Sequence, residues 1–175
     1  MNDRSFVTVT RRKGWEEHTG YVVAIGREWL VIQTVRDAFF DGYAVVRVRD
    51  VRSVEPERRA KRARRAMRMD GMWPPSAPEL LELDDVRHLL FTAGGLSRTL
   101  GLADERKAWG YFVASVDRIG RRWLTTTEVS PSGRWSDDRW QVELDRLTKV
   151  VVWDPYVEKI TAIADRAAQP KRRSS

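Results

Sequence analysis

The sequence contains no cysteine and only two histidines, His18 and His88. The first absence excludes disulfides, cysteine-ligated zinc or iron–sulfur clusters, and cysteine nucleophiles. The second leaves any metal site or histidine-based triad dependent on one of two residues. His18 falls in a polar stretch. His88 has only Asp84 and Asp85 as nearby acids, and both histidines read as surface or boundary residues. Glycine-rich phosphate loops are missing as well. So are long apolar runs: the longest cover about five residues, as around Tyr43-Ala-Val-Val46, whereas a bilayer span needs about 20. The opening Met-Asn-Asp-Arg-Ser has no basic stretch leading into an apolar one. The expectation is a soluble, cytoplasmic protein without a membrane partner.

Carboxylates do occur in pairs, at Glu16-Glu17, Asp84-Asp85 and Asp137-Asp138. Acid–base catalysis needs two carboxylates in unlike environments. These pairs fall in predicted loops or at a helix start, where Asp84 or Asp85 serves as an N-cap. No catalytic residue, metal site or cofactor is expected.

What the chain has in abundance is arginine and tryptophan. The formal net charge is +7 over 175 residues, which by itself invites a nucleic-acid reading. The charge is not spread evenly. Residues 57–69 carry Arg58, Arg59, Lys61, Arg62, Arg64, Arg65 and Arg68 against the single acid Glu57, and the tail adds Lys171, Arg172 and Arg173. The remainder is close to neutral, so the basicity belongs to one internal segment and one end.

Alternating β-branched stretches predict strands at 6–10, 20–26, 29–35, 43–49 and 51–54, with an Asp/Gly turn over 37–42. Pro56 is placed to open a helix. Residues 57–69 hold no Gly, Pro or β-branched residue, and Ala60, Ala63 and Met67 form a narrow apolar stripe. Three prolines in residues 74–78 make a linker. A helix follows Asp84-Asp85 and stops at Gly94-Gly95. The β pattern resumes at 97–103, 109–116, 122–129, 140–144 and 147–153. Residues 156–168 close the chain as strand or helix, and a basic tail from 169 is expected to be disordered.

The two β regions repeat each other. Gly20-Tyr-Val-Val-Ala24 matches Gly110-Tyr-Phe-Val-Ala114, Trp29-Leu30 matches Trp123-Leu124, and residues 50–54 match 146–150. The reading is a mainly β protein with few helices. It comprises one small barrel over 1–55, a basic helix and Pro-rich linker over 56–82, and a second barrel with its own N-terminal helix over 83–168. Trp29 and Trp123 are expected in the two cores.

A helix followed by five short, bent strands resembles the Sm-like arrangement. The segment from Gly20 through Asp41-Gly-Tyr-Ala-Val-Val-Arg to Val51 is similar to a largely uncharacterised bacterial family with tandem Sm-like barrels. That resemblance implies a fold and no particular activity. Sm proteins bind RNA through an Asp-x-apolar-apolar-Asn loop, which Asp37, Phe39, Phe40 and Asp41 resemble. Asp41 stands where the family has Asn, and an ionised Asp cannot donate to a base. Arg49-Asp50 stands in place of the family's Arg-Gly pair.

The functional expectation is a non-catalytic binding protein, a protein-interaction or accessory, immunity-type module of a bacterial system. The alternative is an RNA- or DNA-associated factor anchored by the seven cations of residues 57–69. Those cations could equally face an acidic protein, or pair with acids of the body while the Ala/Met stripe packs down. Trp135, in a long turn, is a candidate contact residue.

Overall fold

The computed structural model describes residues 5–37, 39–107 and 110–169. The strands are β1 (Phe6–Thr10), β2 (His18–Ile25), β3 (Trp29–Arg36), β4 (Phe39–Arg47), β5 (Ser53–Pro56), then β6 (Leu100–Ala103), β7 (Tyr111–Ile119), β8 (Trp123–Val129), β9 (Trp135–Glu143) and β10 (Lys149–Val152). Three helices accompany them: α1 (Ala60–Met69), α2 (Val86–Leu96) and α3 (Pro155–Ala168). Each half also has a one-turn 3-10 helix, Val48–Asp50 and Leu144–Arg146.

The protein is mainly β with few helices. The strands do not make two separate barrels. They form one ten-stranded sheet, not closed into a barrel, in the order β5-β1-β2-β3-β4-β10-β6-β7-β8-β9 with antiparallel neighbours throughout. The reason is one pairing. The edge of β4 is taken by β10 of the other half, with Val45 opposite Val150 and Ala44 opposite Val151. All four β10 residues are buried, which hides the edges that each half would otherwise expose.

Each half nevertheless has the same internal order, fifth-first-second-third-fourth. The ladders break in equivalent places. Pairing shifts between Val22 and Ala24 in β2 and between Val116 and Arg118 in β7, and again between Gln33 and Val35 in β3 and between Thr127 and Val129 in β8. These bulges correct the register of the repeat. Val22 opposite Ile32 corresponds to Val116 opposite Thr126, so Gly20 is the counterpart of Ala114 and not of Gly110.

Local chemistry accounts for the helix boundaries. Asp85 caps α2, accepting from the amides of Arg87 (2.8 Å) and His88 (3.2 Å). Asp154 does the same for α3, accepting from Tyr156 and Val157. Pro56 closes the edge strand β5 instead of opening a helix, a position where its missing N–H removes no ladder bond. Phe39 to Gly42, expected as a turn, already belong to β4, and the turn contracts onto Asp37 with φ +49°. Trp109 and the basic tail from 170 lie outside the described residues.

The main core joins both halves. Trp29, Val31, Tyr43 and Val45 of the first half pack with Leu89, Leu90, Leu102, Leu124, Leu147 and Val150 around α2. Arg47 crosses the same junction. Its buried guanidinium donates to the Leu147 carbonyl at 2.7 Å and the Leu144 carbonyl at 3.1 Å, and lies 4.5 Å from the Trp29 ring centre.

Candidate functional site

The seven cations of residues 57–69 are all exposed, while Ala63 and Met67 of α1 are buried. The stripe packs on Phe6, Tyr21 and Val35 of the first half, with Met72 and Trp73 alongside. The helix therefore both lies on the body and turns its charge to solvent. Pairing with body acids accounts for little of that charge. Arg59 bonds Glu57 at 3.0 Å within its own segment. Among the described residues, Arg58, Lys61, Arg62, Arg64, Arg65 and Arg68 make no ion pair.

The Pro-rich segment is pinned to the body. Ser76 donates its amide to Gln33 (3.1 Å), and its carbonyl accepts from the Tyr43 hydroxyl (3.0 Å). This places Trp73 edge-on to Tyr21, 5.9 Å between ring centres. The guanidiniums of Arg64 and Arg68 lie 5.1 and 5.4 Å from the Trp73 ring centre, a cation–π arrangement that fixes their direction. Lys61, Arg64, Arg65, Arg68 and Met69 line one shallow exposed depression.

The loop that resembles the Sm RNA-binding motif is dispersed. Phe39 is 70% exposed, whereas Phe40 packs edge-on against Tyr43 at 5.3 Å. Asp41 pairs with Arg36 at 3.0 Å, and its partial burial raises the carboxyl above its usual range. Asp41 is thus tied to a neighbour on β3, and Ala38 between these residues lies outside the described ones. Trp135 is not in a turn. It opens β9 and packs beside α3, its indole N–H donating to Asp165 at 2.9 Å.

A second polar assembly went unread in the sequence. His18 is 6% exposed, not a surface residue, because β1 and β2 pair it opposite Val9 at the junction of the halves. Arg11, fully buried, holds Glu105 of the second half in a two-pronged bond (2.5 and 2.6 Å) and also donates to His18 Nε2 at 3.2 Å. An arginine only donates, so Nε2 accepts and the His18 proton sits on Nδ1. Burial, with Arg11 and Lys149 nearby, lowers the His18 pKa to about 3. The buried Lys149 ammonium pairs with Glu16. His18, Glu105, Lys149 and Glu16 line a cleft of about 540 Å³ that also holds Tyr111, Asp154 and Tyr156, with Arg11 buried behind them. Its buried charges are committed to one another across the two halves. His88, by contrast, is exposed beside Asp85, as its sequence context implies.

The two repeat tryptophans differ. Trp29 is fully buried, but Trp123 is 44% exposed. The segment before α2 covers the first: the amides of Glu28 and Trp29 donate to the Leu83 carbonyl (3.2 and 3.0 Å). Nothing among the described residues takes the matching place over Trp123. Instead, Trp123 and Trp140, with Phe112 and Val142, border an open groove of about 710 Å³.

Compared with protein-family models, curated proteins and solved structures, the chain finds no match.

Proposed function

We propose that the protein is a non-catalytic binding protein, built from two Sm-like units, that holds nucleic acid through the outward face of α1. One observation carries this reading: a helix anchored by its apolar stripe presents exposed cations that have no carboxylate partner on the body among the described residues. An arginine-rich row on a fixed helix suits the phosphate backbone, where planar guanidiniums bond two oxygens at once. The Sm-like assignment is supported by the strand order common to both halves and by the helix that precedes the second. The non-catalytic reading is supported by the junction cleft, whose Glu105 is held by the buried Arg11 and whose buried Lys149 pairs with Glu16. Asp41 in place of the family's Asn favours backbone contact over base readout.

The test is binding of labelled single-stranded RNA and duplex DNA across a salt series. Engagement by four cations gives a log–log salt slope of about −3.6 on duplex DNA and about −2.8 on single-stranded RNA. The double variant Arg62→Glu, Arg65→Glu is expected to lose binding at low salt while keeping its melting temperature, because both side chains are exposed. A wild-type protein that shifts neither probe at low salt overturns the proposal.

A further inference from the structure

The hairpin tips of the two halves share a pattern that the repeat register brings into line. Gly26-Arg-Glu-Trp29 stands in the β2–β3 turn, and Gly120-Arg-Arg-Trp123 in the β7–β8 turn. Both tips close in the same way, with Gly26 N donating to Trp29 O and Gly120 N to Trp123 O, each at 2.8 Å. The chain continues alike beyond them: Val48 N donates to Glu28 O and Leu144 N to Arg122 O, both at 2.9 Å.

In the first half, four residues of the tip act as a clamp. A Cβ on Gly26 would sit 2.4 Å from the Leu83 Cβ and 2.8 Å from an Asp84 carboxylate oxygen, so only glycine permits the approach. Arg27 donates its amide to the Asp84 carboxylate (2.5 Å) and its guanidinium to the Asp84 carbonyl (3.1 Å). Glu28 and Trp29 hold the Leu83 carbonyl through their amides. The clamp grips a Leu-Asp pair at the entry to α2.

The second half keeps the glycine, the arginine and the tryptophan, and the place is open. Around a Cβ built on Gly120, the only atoms within 4 Å belong to Trp123 of its own turn. Among the described residues, no carbonyl from another segment meets the amides of Arg122 and Trp123. Trp123 and Trp140 are 44% and 52% exposed at the adjoining groove. Arg122 pairs with Glu143 at 2.8 Å, but Arg121, the counterpart of Arg27, makes no ion pair among the described residues. Arg121, the backbone amides of the tip and the Trp123–Trp140 side of the groove are the complements of an aspartate, a carbonyl and a leucine.

We propose that the Gly120–Trp123 tip is a docking site for an extended Leu-Asp segment of a partner protein, held as the first half holds its own Leu83-Asp84. The site rests on the repeat and the open groove, so it stands independently of nucleic-acid binding by α1.

The probe is a synthetic peptide with the sequence of residues 79–92, titrated into the full chain with tryptophan fluorescence and calorimetric readouts. One peptide is expected to bind per chain. The same peptide with Leu83→Ala and Asp84→Ala should bind at least about tenfold more weakly. The full-chain variant Trp123→Ala should weaken binding by a similar factor, with little change in melting temperature since the side chain is half exposed. A peptide exchanging into the occupied Trp29 site would be indifferent to Trp123→Ala. Binding that survives this substitution therefore overturns the proposal, as does the absence of saturable binding.

Discussion

At the scale of single residues, the side chain with the sharpest consequence is His18. Its sequence context is polar, and nothing local says that β10 and the loop after β6 will close over it with Lys149 and Glu105. The tertiary setting holds the ring neutral, with a folded pKa of about 3 against an ordinary 6.5. The unfolded chain then binds a proton that the folded one refuses between these values, so stability is complete above pH 6.5 and falls as pH drops toward 3. Denaturant titrations should show a loss of up to about 1.4 kcal/mol per pH unit from this group alone below pH 6. The variant His18→Asn can still accept from Arg11 and cannot charge. Its stability should be flatter between pH 6.5 and 5, above the range where carboxylates titrate. An unchanged slope would remove His18 as the cause. Trp29 and Trp123 make the same point without charge: equal residues in equal strands, one buried beneath Leu83 and the other half exposed.

Among the elements, α1 was legible in composition and stripe, because both are local properties of a 3.6-residue period. Its start was not: Pro56 bonds into the edge of the sheet through β5, and the helix begins at Ala60. Packing of the stripe holds the helix in place, since ten residues are too few for a stable isolated helix. Met67, 1% exposed between Phe6 and Trp73, is the anchor. Met67→Ala is expected to cost about 2–5 kcal/mol and to leave the arginines on a frayed helix. Hydrogen exchange should report faster opening of residues 60–69, and protection like that of wild type would show that the stripe is dispensable. The strands were legible from their alternation, but the register of the repeat was not. The sequence match of Gly20 with Gly110 and the observed match with Ala114 differ by four residues. An even shift leaves every side chain on the same face, so the hydrophobic pattern could not distinguish them. The bulges did.

At the scale of the whole molecule, the expectation of two barrels met a single open sheet. The buried β4–β10 seam, the shared core around α2 and the crossing Arg47 make the halves one cooperative unit. Calorimetry should show a single transition. Arg47→Leu removes the guanidinium bonds to the Leu144 and Leu147 carbonyls of the second half, of which Leu144 keeps the Leu147 amide as donor, and should lower that whole transition by about 3 kcal/mol, roughly 6–12 °C. A profile that splits into two transitions, with only one displaced, would mean the halves fold apart. The exposed edges are now β5 and β9. β5 ends in Pro56, and β9 carries Asp137, Asp138 and Arg139, features that discourage edge-to-edge pairing.

The sequence by itself determined most of the strands, the helices over 60–69 and after Asp84-Asp85, that the β unit is duplicated, and that the basic charge is confined to residues 57–69 and the tail. These follow from short-range periodicity, capping and composition. Only the tertiary structure decided which copy of a repeated residue is covered, that His18 is buried and neutral, and that the arginines of α1 face solvent. Burial and ionisation depend on groups brought in from many residues away, and the pairing of β4 with β10 brings them together.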